Sequence, residues 1–279
     1  MTDASAVTRP PPASRTEAPN RTVSRSWIVV AVQELRDLWL SGRGLMLMVA
    51  YTAVLSGSTY VVAINEDLNF VEQREAVSLT LKLAVVVGGL LVVLVAADAI
   101  SGERERGTLE GLLLTPAPRR ELVVGKGLSA LSLWAVAYAL GLPYVWWLGR
   151  DVGTFGVAVV SGLVVGTMLA LLCVGIGLLV SMFSNSNLLS LSISFFALLV
   201  LVAPNQMPTD AVRGWAGELL LRLDPFLGGL TYLDKVIINE RGFAADLDLL
   251  LVPLLAAVAV PAVAVLLAGR LTLLPRGHS

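Results

Sequence analysis

Leu79-Thr-Leu-Lys82-Leu-Ala-Val85-Val-Val-Gly-Gly-Leu-Leu-Val-Val-Leu-Val95-Ala-Ala97 is the stretch that decides the fold. Positions 85–95 are apolar without exception. A strand of a membrane barrel alternates lipid-facing apolar with lumen-facing polar residues, and this run does not alternate. In hydrocarbon a helix satisfies each backbone N–H and C=O within its own segment. About 20 apolar residues of helix cross a core about 30 Å thick. Residues 79–97 are therefore expected to be a membrane-spanning helix, with Lys82 near one end and Asp98 just past the other.

Five more stretches read the same way: 45–64, 128–148, 154–183, 188–203 and 249–268. The fourth span is long enough to tilt or protrude, and the fifth is short. Composition agrees: of 279 residues 56% are apolar and 15% charged. A typical soluble domain carries about 25% charged residues, so a single soluble globule is excluded, as is general disorder. Net charge −1 makes no case for nucleic acid. The fold class expected is all-α, an integral membrane protein with six transmembrane helices. Pro143, Pro253 and Pro261 fall inside spans, where each removes a helix hydrogen bond and favours a kink.

Residues 1–23, with Pro10, Pro11, Pro12 and Pro19, read as a disordered tail without the apolar region of a signal peptide. Residues 24–40 read as an amphipathic helix lying in the membrane interface. Trp27 and Trp39 suit the headgroup zone, and Leu35 falls on the apolar face with Ile28, Ala31, Val32 and Leu38. An ordinary helix packed on the spans is the alternative. Placing the tail, the loop after the second span, the turn after the fourth and the C-terminus on one side gives that side thirteen basic residues against six. By the positive-inside rule both termini are expected in the cytoplasm.

The densest charge lies in segment 101–126, between the second and third spans. It contains Glu103-Arg-Glu105-Arg-Gly107-Thr108-Leu109-Glu110-Gly-Leu112-Leu113-Leu-Thr-Pro116 and then Glu121-Leu-Val-Val-Gly125-Lys126. Thr108 suits an N-cap. Leu109, Leu112 and Leu113 share a face, and Thr115-Pro116 stops the helix. A second helix is expected to start near Pro118 and run into the third span. From physics alone this is either a knob that carries force from a cytoplasmic partner or a plain positive-inside loop.

The motif over 103–126 resembles the hallmark of ABC-2-type transporter permeases, and the resemblance extends to the interfacial helix and the six spans. Leu223-Asp224-Pro225-Phe226, with 234–243 beyond it, is similar to the outer return before the last span in the subgroup of copper-site maturation and gliding-type permeases. The resemblance implies a cytoplasmic coupling helix (a type V exporter-like plan) seated in a separate ATPase subunit. Glu103, Glu105, Thr108, Leu109 and Glu110 are the matched positions, with Leu112 and Leu113 in the same segment. It further implies two ABC ATPase subunits carrying ATP and Mg, a second permease copy as homodimer or related heterodimer, a plasma (inner) membrane location, and export. Spans one and five meet across the dimer in that family, which makes Tyr51, Ser56, Ser58, Thr59, Ser190 and Ser194, with Ser192, candidates for the pathway or seam.

The chain itself lacks a P-loop: Gly125-Lys126 is the only Gly-Lys pair and Arg120 stands where the first glycine belongs. No cofactor or metal is expected in it, since His278 is the one histidine and Cys173 the one cysteine. The apolar spans favour a lipid or amphiphilic drug as substrate. A membrane assembly or signalling module, and a stand-alone channel or carrier, are the alternatives; the scarcity of mid-membrane charge speaks against the last.

Three further features are open. Gly162 and Gly166 let a helix approach closely, either within one chain or across a dimer. Lys82 and Asp98 are expected to snorkel to the headgroups. The outer segment 204–248 is expected to form two short helices that gate or cover the bundle, with Val212, Trp215, Leu219, Leu220 and Leu223 on one apolar face.

Overall fold

The structure is a computed structural model describing residues 26–64, 70–109, 111, 118–206 and 215–270. Nine α-helices are described: α1 Ser26–Leu40, α2 Arg43–Ala63, α3 Phe70–Arg106, α4 Arg119–Gly149, α5 Phe155–Phe183, α6 Asn187–Val202, α7 Trp215–Leu223, α8 Pro225–Ile237 and α9 Asp248–Leu267. No strand occurs among the described residues. Among the described residues six helices are long and apolar enough to cross a membrane: α2, α3, α4, α5, α6 with its 3-10 extension to Gln206, and α9. The expected tail, Glu110, Leu112, Leu113, Val212 and the C-terminal arginine Arg276 lie outside the described residues.

The spans form two tiers. In α3, α5 and α4 the most apolar window is 61%, 56% and 44% buried by the rest of the chain, against 22%, 22% and 17% in α2, α6 and α9. The inner three make the core and the outer three present apolar faces such as Leu45, Met46 and Val49 of α2, or Phe195, Phe196 and Leu199 of α6. Exposed apolar surface on this scale is incompatible with water and is what a bilayer requires.

Glycines of α5 let the inner helices close on one another. A Cβ on Gly177 would stand 2.6 Å from Ala96 Cβ and 2.7 Å from the Val93 carbonyl oxygen, and one on Gly166 2.2 Å from Trp134 Cζ2. Gly175 faces Pro261 of α9 in the same way, its Cβ 2.7 Å from the proline nitrogen. Gly162 meets Leu81. The G-x-x-x-G pair therefore packs within one chain, and the dimer-seam reading of it is overturned. Gly177→Val is expected to force α3 and α5 apart and to cost about 1–3 kcal/mol, measured as a lower unfolding midpoint in detergent; an unchanged midpoint would contradict this packing.

The second span differs most from its sequence reading. Instead of 79–97, α3 runs 37 residues without a break, about 55 Å at 1.5 Å per residue. Nothing in 98–106 stops a helix: there is no proline, Ile100 is buried, and Arg104 and Arg106 in the last turn suit the negative helix end. Gly107 ends it, at φ +74°. The Gly107 N–H donates to the Arg104 carbonyl (3.2 Å) and the Thr108 N–H to the Glu103 carbonyl (3.0 Å), the Schellman pattern that needs a glycine in the left-handed region. The first residues of the expected 101–126 loop are thus the last turns of a span. α4 begins at Arg119 with Pro118 as N-cap and Glu121 in its first turn.

Candidate functional site

Two polar clusters sit at opposite ends of α3. The first lies at the end carrying α1 and the 107–118 connection. Gly125, in the second turn of α4, makes it possible: a Cβ there would stand 2.6 Å from Val30 Cγ1 and 3.1 Å from the Ala31 nitrogen, so α1 can lie directly on α4. The next residue, Lys126, is 3% exposed. Its ammonium donates to Glu34 Oε1 of α1 at 2.7 Å and to Glu103 Oε1 of α3 at 2.6 Å. One buried cation thus ties three helices. The Gly-Lys pair that fails as a phosphate loop has this structural use.

Beside it Asp98, also buried, accepts from Arg43 Nη2 of α2 (2.7 Å) and Asn187 Nδ2 of α6 (2.7 Å), with Arg106 Nη2 at 3.9 Å. Gly102 leaves the room, since a Cβ there would fall 2.2 Å from Asp98 Oδ1. Glu105 accepts the Asn187 backbone N–H at 2.9 Å, placing a carboxylate at the start of α6, where the helix dipole favours it. Arg104 donates to the Ser184 carbonyl and, at 3.1 Å, to the Met182 carbonyl, closing the C-terminus of α5. Between α1 and α3 lies a cavity of about 310 Å³ lined by Asp37, Arg43, Asp98, Glu103 and Lys126 among others. It has room for several waters, and Glu103 Oε2 has no protein partner among the described residues.

At the opposite end Asp234 of α8 accepts the Ser78 hydroxyl at 2.7 Å and the Lys82 ammonium. Arg74 pairs with Glu240. α8 starts on Asp224, whose side chain accepts from the Phe226 and Leu227 N–H groups (2.8 and 3.2 Å), with Pro225 in its first turn. The return to α9 is tied by Asp246, which accepts from Lys235 Nζ at 2.7 Å and from Arg241 at 3.3 Å, and by the Tyr232 hydroxyl donating to the Phe243 carbonyl at 2.9 Å. Arg150 stacks on Trp147 with 4.4 Å to the ring centroid.

The Lys235 hydrogen bond and the two nearby cations hold the Asp246 carboxyl below its ordinary value. A group whose folded pKa is depressed contributes stability above its unfolded value, about 3.9, and loses it as pH falls through the folded value. The 238–247 return should stay tied from neutral pH down to about pH 4 and loosen below that. Hydrogen exchange of this segment, corrected for intrinsic rates, measures it. Asp246→Asn should loosen it at neutral pH and flatten the pH response.

The two membrane-proximal charges, Lys82 and Asp98, do not snorkel. Each has an opposite charge within its own bundle, which removes the reason to reach for headgroups. Glu103 turns inward to Lys126, while Glu105 and Thr108 are exposed and Leu109 is buried. The Thr108 hydroxyl donates to the Glu103 carbonyl at 3.3 Å, and the helix it is expected to cap lies largely outside the described residues. On α1, Trp27 is exposed, Leu35 half-buried, and Trp39 half-buried with its Nε1–H donating to Ser132 Oγ at 3.1 Å. α1 is therefore packed on α4 along one face, with Trp27, Val29 and Val32 outside.

Among the seam or pathway candidates, Tyr51, Thr59, Ser190 and Ser194 are buried by the chain's own helices. Ser190 donates to the Ala97 carbonyl at 2.8 Å. Ser56 is exposed and shares a 2.8 Å hydrogen bond with the Tyr144 hydroxyl, Ser58 is half-exposed and Ser192 exposed. Sequence reasoning missed the network of Glu34, Lys126, Arg43 and Asn187 at one end of α3 and the Asp234 partner of Lys82 at the other. A signal existed for Lys126 alone: a lysine about two turns inside a helix that then carries no charge through Gly149 needs either a headgroup or a partner.

A bundle of apolar spans with charge confined to its ends defines a multi-pass α-helical membrane protein. A family model described as ABC-2 family transporter protein matches residues 28–268, and the chain belongs to that family. It is the permease-type membrane component of an ABC transporter. No curated protein matches the chain at a significant level.

Proposed function

We propose that the chain is the transmembrane subunit of an ABC exporter, driven by a separate ATPase that seats on the α1 end of the bundle. That end is then the cytoplasmic face of the plasma membrane, both termini are cytoplasmic, and two permease chains work with two ATPases that supply the ATP and Mg sites. The observation that supports this most directly is the tie at Glu103. The last turn of α3 is held through Lys126 to α4 and α1, so a displacement delivered to the connection after Gly107 moves three helices together. Exposed Glu105 and Thr108, with Glu110, Leu112 and Leu113 beyond, supply the contact. Closure of the ATPase dimer would push this end and shift the bundle between inward and outward states. The apolar spans favour a lipid or amphiphilic drug as cargo.

Deleting 107–110, or replacing Glu105 with alanine, is expected to abolish transport while the protein still inserts and dimerises. ATPase activity of the reconstituted pair should lose its stimulation by the permease. Stimulation that survives the deletion unchanged would sink the coupling assignment.

A further inference from the structure

Where α1 crosses the start of α4 there is a second open groove, unrelated to the polar clusters. It has a volume of about 370 Å³ and is lined by Trp27 of α1 and by Arg120, Glu121, Val124 and Leu128 of α4. Its layers are ordered by chemistry. Arg120 sits in the first turn of α4, Val124 one turn deeper and Leu128 two turns deeper, so a cation stands at the mouth and apolar side chains line the way toward the membrane core. Trp27 flanks it, 40% exposed, and an indole with one polar edge suits the headgroup zone of a bilayer.

Arg120 is the one cation among the residues that line this groove. Arg43 and Arg106 are committed to Asp98, Arg104 to the Met182 and Ser184 carbonyls, Lys126 to Glu34 and Glu103, and Arg119 to the Gly269 carbonyl. Arg120 is exposed and has no protein partner among the described residues. Glu121, the acidic residue of the groove, has an interaction of its own. An exposed guanidinium above an apolar groove matches an oxygen-rich anion joined to a hydrocarbon chain.

We infer that this groove binds one anionic phospholipid, its phosphate on Arg120 and one acyl chain along Val124 and Leu128 against Trp27. The inference requires only that the chain sits in a bilayer; it stands or falls independently of the transport and coupling assignment. Its consequence is a lipid wedged beside α1, the helix that Lys126 ties to α3.

The test uses the full-length protein reconstituted into vesicles of brominated phosphatidylglycerol or brominated phosphatidylcholine, each at the same mole fraction in an unbrominated phosphatidylcholine background. Bromine quenches tryptophan fluorescence on contact. The Trp27 contribution is obtained by subtracting the Trp27→Phe variant, which removes the signals of the other tryptophans. A single arginine at a membrane surface favours anionic lipid about fivefold. Quenching of Trp27 by phosphatidylglycerol should therefore reach half-maximum at about one-fifth the mole fraction needed with phosphatidylcholine. Arg120→Gln should abolish that difference and leave quenching by phosphatidylcholine unchanged, which also shows that the variant is inserted and folded. Excess inorganic phosphate should leave the preference in place. Equal quenching by the two lipids in the wild type, a preference that persists in Arg120→Gln, or displacement by inorganic phosphate would each overturn the assignment.

Discussion

Lys126→Met should stop transport while leaving the protein in the membrane. The ammonium that remains 3% exposed in the bundle neutralises two carboxylates on two different helices, Glu34 on α1 and Glu103 on α3. Methionine fills the same volume but leaves both carboxylates facing each other without a cation. Breaking a buried pair by removing one partner costs about 3–5 kcal/mol, enough to detach α1 or the last turn of α3. Hydrogen exchange of residues 26–40 should rise by two to three orders of magnitude, since about 1.4 kcal/mol is tenfold in an opening equilibrium. Adding Glu34→Gln and Glu103→Gln removes the orphaned charges, so thermal stability should largely return. Transport should not return, because the tie between α1 and α3 is then neutral and weak. Full transport in the single variant, alongside lost protection of α1, would show that α1 is an anchor only and carries no part of the stroke.

The membrane spans were legible in the sequence because lipid imposes a single local requirement, some 20 apolar residues with no alternation. That requirement is met residue by residue and needs no knowledge of the neighbours. The ends of α3 were not legible, for a related reason. Hydropathy falls at Asp98 and at Glu75, yet the backbone does not register hydropathy; the helix continues until Gly107 permits a left-handed residue. A glycine directly after a pair of basic residues in a last turn, as Gly107 follows Arg104 and Arg106, is a stop signal that chain chemistry supplies, and reading it would have put Glu103 and Glu105 on the span. Asp224-Pro225 was a comparable start signal for α8. The partners of Lys82, Asp98 and Lys126 are a different matter. Asp234 lies 152 residues from Lys82 and Glu34 lies 92 from Lys126, and no local pattern pairs residues at such separation. The expectation that Lys82 and Asp98 would reach the headgroups failed because it treated each helix as alone in lipid. In a bundle an opposite charge on a neighbour is nearer than the headgroup.

The two clusters have α3 in common, and its continuity gives the last prediction. Glu103 and Asp98 at one end and Lys82, Ser78 and Arg74 at the other belong to one unbroken helix about 55 Å long. If this helix, unbroken from Phe70 to Arg106 and without a proline, moves as a rod, a push at Glu103 reaches Lys82. There the rod is fastened to α8 by the Lys82–Asp234 pair and the Ser78 hydroxyl. Asp234→Ala should release α8 from α3. Lys82 is 15% exposed and would be left without its counter-charge, costing about 3 kcal/mol, at the lower end of the range because the Asp234 side chain is one-third exposed. If α8 covers the outer end of the pathway, the variant should leak: a fluorescent amphiphile loaded into vesicles should escape without ATP, while ATPase stimulation at the other end persists. Exchanging the charges, Lys82→Asp with Asp234→Lys, should close the leak again, because the attraction is restored with the poles reversed. A single variant that is tight and transports at the wild-type rate would mean that the pair only neutralises a stray lysine. A leak that the exchange fails to repair would mean that α8 is held by packing of Phe226, Leu230 and Leu233, all fully buried, and that the rod ends one turn short of the gate.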